Sequence, residues 1–186
     1  MEAHQYKNRL VIGIAGLLGA GKTTAAQYLV SDHGFRYIRY SEVLARWFNE
    51  DPDHKAELQA VGWEVMSGSL QVELNRRLIE QITPEANWVV DGLRHPLDYE
   101  SLKNIFASGF NLIYIKSPQP ERWFRLQTSL RFRAFEDFRR ADAHPVEQQI
   151  ETLEQHADIC IQNCGTVERL YKTLTSFVLR LQKGDV

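Results

Sequence analysis

The most specific chemistry in the chain lies in Gly16-Leu17-Leu18-Gly19-Ala20-Gly21-Lys22-Thr23, followed by a second threonine, Thr24. The spacing G-x-x-x-x-G-K-[ST] is filled at every fixed position. Each residue type has a task that phosphate chemistry requires. Glycines let a backbone turn tightly enough to aim several N–H groups at one anion. A helix starting at the lysine adds the partial positive charge of its N-terminus. The Lys22 ammonium can reach the terminal phosphates of a nucleotide, and the Thr23 hydroxyl can ligate Mg²⁺. The alternative is a glycine-rich turn with a surface lysine. The apolar run before the motif and the helical pattern after it argue for a phosphate-binding loop.

Other residues could complete such a site. Asp91 ends an apolar Trp88-Val89-Val90 run and is followed by Gly92. A carboxylate there would hold the metal or its waters together with Thr23; the competing reading is an Asp that opens a turn. Arg94 can present a planar guanidinium to a phosphate, or pair with Asp98 or Glu100 at the surface. Glu42 follows a second short strand, where it could act as a general base, orient an acceptor, or serve a helix's first turn. His95 lies beside Arg94 and needs no catalytic role.

Residues 121–140 are the most basic stretch, with Arg122, Arg125, Arg131, Arg133, Arg139 and Arg140 among Trp123, Phe124, Phe132, Phe135 and Phe138. They read as a lid whose arginines close over phosphates, with Arg131 and Arg133 nearest its centre. They also read as an amphipathic helix with an aromatic core face. Base stacking in the manner of single-strand binders fits poorly with a net charge of −2.

These residues need a frame. The apolar run 10–15 predicts a buried strand, and 22–33 a helix stopped by Gly34. Residues 35–40 alternate as a second strand, and Ser41 is placed to cap the helix that follows. Asp51-Pro52-Asp53 breaks that helix. Two helical pieces are expected within 54–82, around Gly62 and Gly68. Strands at 88–90, 110–116 and 158–162 alternate with helices from Pro96, from Pro145 through His156, and over 167–181. Strand–helix alternation predicts a parallel α/β sheet, with ligands beyond the carboxyl ends of its strands. That gathers residues 16–24, 41–46 and 91–94 at one edge.

Bulk properties set limits. The 186 residues suit one domain with a sizeable core. Neither a membrane span nor a secretory leader is visible, so a cytoplasmic location and no membrane partner are expected. The mild charge gives no support to nucleic-acid binding. Cys160 and Cys164 stand without a companion pair and make a poor zinc site; one is expected in a buried strand and the other just past it.

Three stretches carry a family resemblance. GLLGAGKTT resembles the P-loop small-molecule kinases. VVDGLRHPLDYE looks like the Asp-Gly-x-x-Arg element of adenylate kinase-type nucleoside monophosphate kinases. It looks more like the Asp, Arg, Pro, acidic pattern of deoxynucleoside monophosphate kinases and their uncharacterised relatives. HADICIQNCGTVERLYKTL resembles the close of dephospho-CoA kinases, and Glu42-Val43-Leu44-Ala45-Arg46 is similar to their Asp-x-x-Ala-Arg stretch. Where dephospho-CoA kinases carry Pro-Leu-Leu-Phe-Glu, this chain has DGLRHP.

The resemblance implies an α/β, three-layer P-loop NTPase fold with a five-stranded parallel sheet. It would form one domain over 1–186, with a helical acceptor-binding insert at about 41–82 and an Arg-rich lid at about 119–144. It implies transfer of the ATP γ-phosphoryl group to a nucleoside or deoxynucleoside monophosphate, as a monomer or small homo-oligomer. By analogy residues 16–24 hold ATP and Mg²⁺, while Ser41, Glu42, Arg46 and Arg94 meet the acceptor. Arg131 and Arg133 come from the lid, and Asn163, Gly165 and Thr166 lie near the adenine. The alternatives are dephospho-CoA kinase or another small-molecule kinase, and a non-catalytic nucleotide-binding module. A GTPase is disfavoured, because no Asn-Lys-x-Asp occurs and Asp91-Gly92-Leu93-Arg94 lacks Asp-x-x-Gly spacing.

Overall fold

The first strand explains the rest of the architecture. β1 (Val11–Ala15) is buried on both faces, as a central strand of a parallel sheet must be. Ile12 and Ile14 point to one apolar layer, and Val11 and Ala15 to the other. The computed structural model describes residues 9–50, 61–65, 70–128 and 132–184.

The chain continues through α1 (Lys22–His33), β2 (Arg36–Arg39), α2 (Tyr40–Phe48) and α3 (Gln71–Ile79). Then come β3 (Trp88–Asp91), α4 (Pro96–Phe106), β4 (Phe110–Lys116), α5 (Gln119–Thr128) and α6 (Phe135–Asp142). It closes with α7 (Pro145–Thr152), β5 (Ile159–Gln162) and α8 (Val167–Lys183). The five strands form one sheet in the order β2-β3-β1-β4-β5, and every pairing is parallel.

Helices α1 and α8 cover one face through Ala25, Ala26, Leu29, Leu170, Leu174, Phe177 and Val178. The opposite face is covered by α2, α3, α4 and α7, through residues such as Val43, Leu74, Leu78, Leu102 and Ile150. Alternation along β4 serves both layers: Phe110, Leu112 and Tyr114 face one, and Ile113 and Ile115 the other. The result is a three-layer α/β fold. Among the described residues, no helix is long and apolar enough to cross a membrane.

Several sequence expectations change. Ser41 does not cap α2. That helix already begins at Tyr40, its cap position is Arg39, and no side chain closes it. Tyr40 turns out of the strand because its ring is buried and its hydroxyl donates to the side-chain Oδ1 of Asn75 at 2.6 Å. The basic stretch divides into α5 and α6. Cys160 lies in β5, but β5 is an edge strand, and both Cys160 and Cys164 are exposed free thiols. The expected break at 51–53, most of the first helical piece in 54–82 and Arg131 lie outside the described residues.

Candidate functional site

The glycine-rich loop of residues 16–21 links the end of β1 to the start of α1. Gly21, the cap residue of α1, has φ 103°, a left-handed conformation that a side chain resists. A Cβ there would also lie 2.5 Å from the Asn163 amide nitrogen. Gly16 has φ 144°, and a Cβ on it would collide with the Ile115 carbonyl. The loop is therefore pressed between α1 and the ends of β4 and β5. Lys22 folds back across it, donating from Nζ to the carbonyls of Gly16 at 2.6 Å and Leu17 at 3.0 Å. Thr24, at the third position of α1, is exposed.

Sheet register delivers the acid to this loop. Asp91, the last residue of β3, pairs with Ile14 of β1 on one side and Arg39 of β2 on the other. Its side chain is 1% exposed. Oδ2 accepts hydrogen bonds from Thr23 Oγ1 at 3.0 Å and Tyr37 OH at 3.0 Å, with Arg39 Nε at 3.9 Å. Oδ1 is buried and has no hydrogen-bond partner among the described residues. Burial, and then the charge of Asp91, push the Tyr37 hydroxyl far above its usual range. It remains a donor at any ordinary pH.

An orphaned carboxylate oxygen next to a threonine hydroxyl is an all-oxygen donor set of the kind Mg²⁺ prefers. Among the described residues, no group of three or more His, Cys, Asp or Glu side chains gathers elsewhere as a metal cage. Two protein oxygens, completed by phosphate and water, therefore fit Mg²⁺ at this position.

Arg94 is placed by a buried network. Asp98 Oδ2 accepts the backbone N–H groups of Arg94 and His95, each at 2.9 Å. Its Oδ1 accepts from Gln71 of α3. Pro96 opens α4, and His95 Nδ1 caps the Leu97 N–H at 3.0 Å. Asp98 thus binds the Arg94 backbone; the alternative reading, a surface pair of the Arg94 guanidinium with Asp98, does not form among the described residues. Burial raises the Asp98 pKa despite these hydrogen bonds. Arg46 is exposed and its Nε reaches back to the Glu42 carbonyl at 3.2 Å; Ser41 and Glu42 are half-buried on the first turn of α2.

Among the described residues, the arginine-rich stretch meets the loop through Arg122 and Arg125. Arg122 is 4% exposed and donates to the Leu18 carbonyl at 3.0 Å and the Ser117 carbonyl at 3.1 Å. It also holds Asp142 with a two-pronged ion pair. Arg125 donates to the Asn163 carbonyl at 2.7 Å and to Ser117 Oγ at 3.0 Å, and approaches the carbonyls of Gly19 and Ala20 at 3.4 Å. Arg133 is exposed, ahead of α6. Asn163 is buried and braces the loop by donating to the Ala20 carbonyl at 2.8 Å. Gly165 and Thr166 are exposed where β5 turns into α8.

Sequence reasoning missed Tyr37, Arg39 and Glu147, which accepts the Leu18 N–H at 2.9 Å. Tyr37 and Arg39 alternate along β2, so the strand pattern held a signal for them. A lone Glu early in α7 offers none.

A family model described as "AAA domain" matches residues 12–136. The chain is 27% identical over 187 residues to a UPF0200 protein of Methanothermobacter thermautotrophicus, covering 96% of this chain and 94% of the relative. It is 25% identical over 181 residues to a UPF0200 protein of Pyrobaculum aerophilum, covering 92% and 98%. Among solved structures, a gluconokinase from Sinorhizobium meliloti superposes with TM-score 0.64 at 12% identity, covering 94% of each chain. A shikimate kinase from Acinetobacter baumannii, in complex with shikimate, superposes with TM-score 0.56 at 16% identity, covering 95% and 97%. The shared architecture is the three-layer α/β fold of P-loop kinases.

Proposed function

The chain belongs to the AAA domain family, and we propose that it is an ATP-dependent phosphotransferase whose acceptor is a nucleoside or deoxynucleoside monophosphate. The observation that carries this reading is the Thr23–Asp91 pair with its unpartnered Asp91 Oδ1. A donor loop and an acidic partner are both present at the carboxyl ends of neighbouring strands.

In this reading residues 16–24 hold the ATP phosphates on inward N–H groups, and Lys22 swings from Gly16 and Leu17 onto the terminal phosphate. Thr23 and Asp91 hold Mg²⁺, which when bound neutralises charge on the phosphate oxygens. Arg94 and Arg46 take the acceptor phosphate, with Ser41 and Glu42 beside them. Arg131 and Arg133 supply the lid, Gly165 and Thr166 flank the base, and Asn163 props the loop.

An oxygen of the acceptor phosphate forms a bond to the γ-phosphorus as the bond to the β,γ-bridging oxygen breaks. ADP leaves and a diphosphate remains. A dianionic phosphate carries no proton on the attacking oxygen, so positioning and charge neutralisation suffice and Glu42 need only orient the acceptor.

The test is a panel of acceptors with ATP and Mg²⁺, covering ribo- and deoxynucleoside monophosphates and dephospho-CoA. One monophosphate is expected to raise ADP release well above the rate without acceptor. A response to dephospho-CoA alone would reassign the acceptor. A flat panel with tight ATP binding would make the protein a nucleotide-binding module.

A further inference from the structure

We infer that Glu147 and Arg122 are positioning residues that set the shape of the phosphate-binding loop from outside it, by holding Leu18 at both its backbone groups. Leu18 is a variable position of the motif, yet three elements converge on it. Glu147 Oε2 of α7 accepts its N–H at 2.9 Å, and this residue is 7% exposed. Arg122 Nη1 of α5 donates to its carbonyl at 3.0 Å. Its side chain is buried against Leu126 and Phe138, with Trp123, Phe132 and Ala141 around them.

Arg122 is itself fixed. Asp142 of α6 takes two of its N–H groups, the Ser117 carbonyl takes Nε, and its guanidinium lies 5.6 Å from the Phe138 ring centre. A planar guanidinium used on three acceptors has little freedom to move. The helices of the basic stretch are therefore anchored at their base on the loop, through Leu18.

Peptide geometry turns this into a constraint on the nest. No peptide bond in the described chain is cis, and in a trans peptide the N–H of one residue points opposite to the carbonyl of the residue before it. The carbonyls of Leu18 and Ala20 face outward donors, Arg122 and Asn163. The N–H groups of Gly19 and Gly21 must then face the other way, into the loop. Glu147 does the reverse for Leu18: it turns that N–H outward and removes it from the inner set. An acidic residue beside an anion site would oppose binding by charge alone, so its contribution is geometric.

This inference rests on the reading that the loop binds a nucleoside triphosphate, and its test separates the two. ADP and ATP dissociation constants are measured by calorimetry for the wild type, Glu147→Gln, Glu147→Ala and the charge-neutral double variant Arg122→Gln/Asp142→Asn. Hydrogen exchange of the loop backbone is followed without nucleotide. Glu147→Gln keeps an acceptor oxygen and should bind within about threefold of wild type; Glu147→Ala and the double variant should bind about tenfold or more weakly. Their loop amides should exchange faster while far-UV spectra stay native. A purely stabilising role would lower the melting temperature of Glu147→Ala without moving the affinity of the folded protein. If Glu147→Ala does not fold, the double variant decides. Wild-type affinity and wild-type exchange in a folded variant would overturn the inference. No nucleotide binding by the wild type would instead overturn the functional reading, while the exchange comparison still judges the role of Glu147.

Discussion

Thr23 Oγ1 donates to Asp91 Oδ2 at 3.0 Å, joining residues 68 positions apart in sequence. The first sits at the start of α1 and the second at the end of β3. Parallel pairing of β1 with β3 makes them neighbours, since Asp91 lies in register with Ile14, two residues before the loop begins. The same carboxylate has its other oxygen buried and without a hydrogen-bond partner among the described residues, which is costly unless something else completes it.

Asp91→Asn should therefore weaken Mg²⁺-dependent nucleotide binding by about 10- to 100-fold. Without Mg²⁺ the variant should bind nucleotide at least as well as wild type, because a negative charge near the phosphates is gone. Calorimetry with Mg²⁺ and with chelator measures both. The same Mg²⁺ dependence in the two proteins would remove Asp91 from the metal site.

Lys22→Ala should lower phosphoryl transfer by about 10²- to 10³-fold, the usual cost of losing one group that stabilises transferring charge. The fold should survive, because the Lys22 ammonium hydrogen-bonds carbonyls of its own loop, at Gly16 and Leu17. Turnover assays paired with thermal melts check this; near-wild-type turnover by the folded variant would remove Lys22 from the mechanism.

Arg94→Ala should raise the acceptor KM about tenfold or more while leaving the ATP KM within about threefold. The loop should keep its shape, since Asp98 holds the backbone N–H of residue 94 and not the side chain. Steady-state kinetics with each substrate varied in turn separates the two constants. Equal effects on both would argue against an acceptor clamp.

Two buried carboxylates should respond to pH with opposite signs. Burial would raise the Asp142 pKa, but hydrogen bonds from Arg122 and Gln119 outweigh it and hold it below the ordinary value. Its stabilisation is present above about pH 4 and is lost as pH falls through the depressed pKa. Asp98 is raised by burial, so its contribution is complete below about pH 4 and is lost as pH rises through the raised pKa. In urea titrations, Asp142→Asn should trail wild type at neutral pH and converge with it in acid. Asp98→Asn should gain on wild type as pH rises. Gln71 can turn its amide so that Oε1, now unpartnered, accepts from the new NH₂ group. Parallel pH profiles for both variants would contradict these assignments.

The sequence alone determined what is local and repetitive. The motif over residues 16–23 needs glycines where the backbone turns and a lysine where α1 starts, and period-2 and helical patterns are written residue by residue. Strand–helix alternation then leaves few topologies open, so the parallel sheet and the meeting of the loop with Asp91 were legible. Tertiary structure alone decided how the loop is held. Glu147 is 129 positions from Leu18, Arg122 is 104, and Asn163 is 143 from Ala20. No periodicity links such partners, because each is chosen by the packing of α5, α7 and the β5–α8 turn around one loop. The arginines of the basic stretch show the same division. Composition marked the segment, while burial chose Arg122 and Arg125, the two whose helix rests against residues 18–20. Only a folded chain can say which of several like charges lies close enough to a carbonyl to bond it.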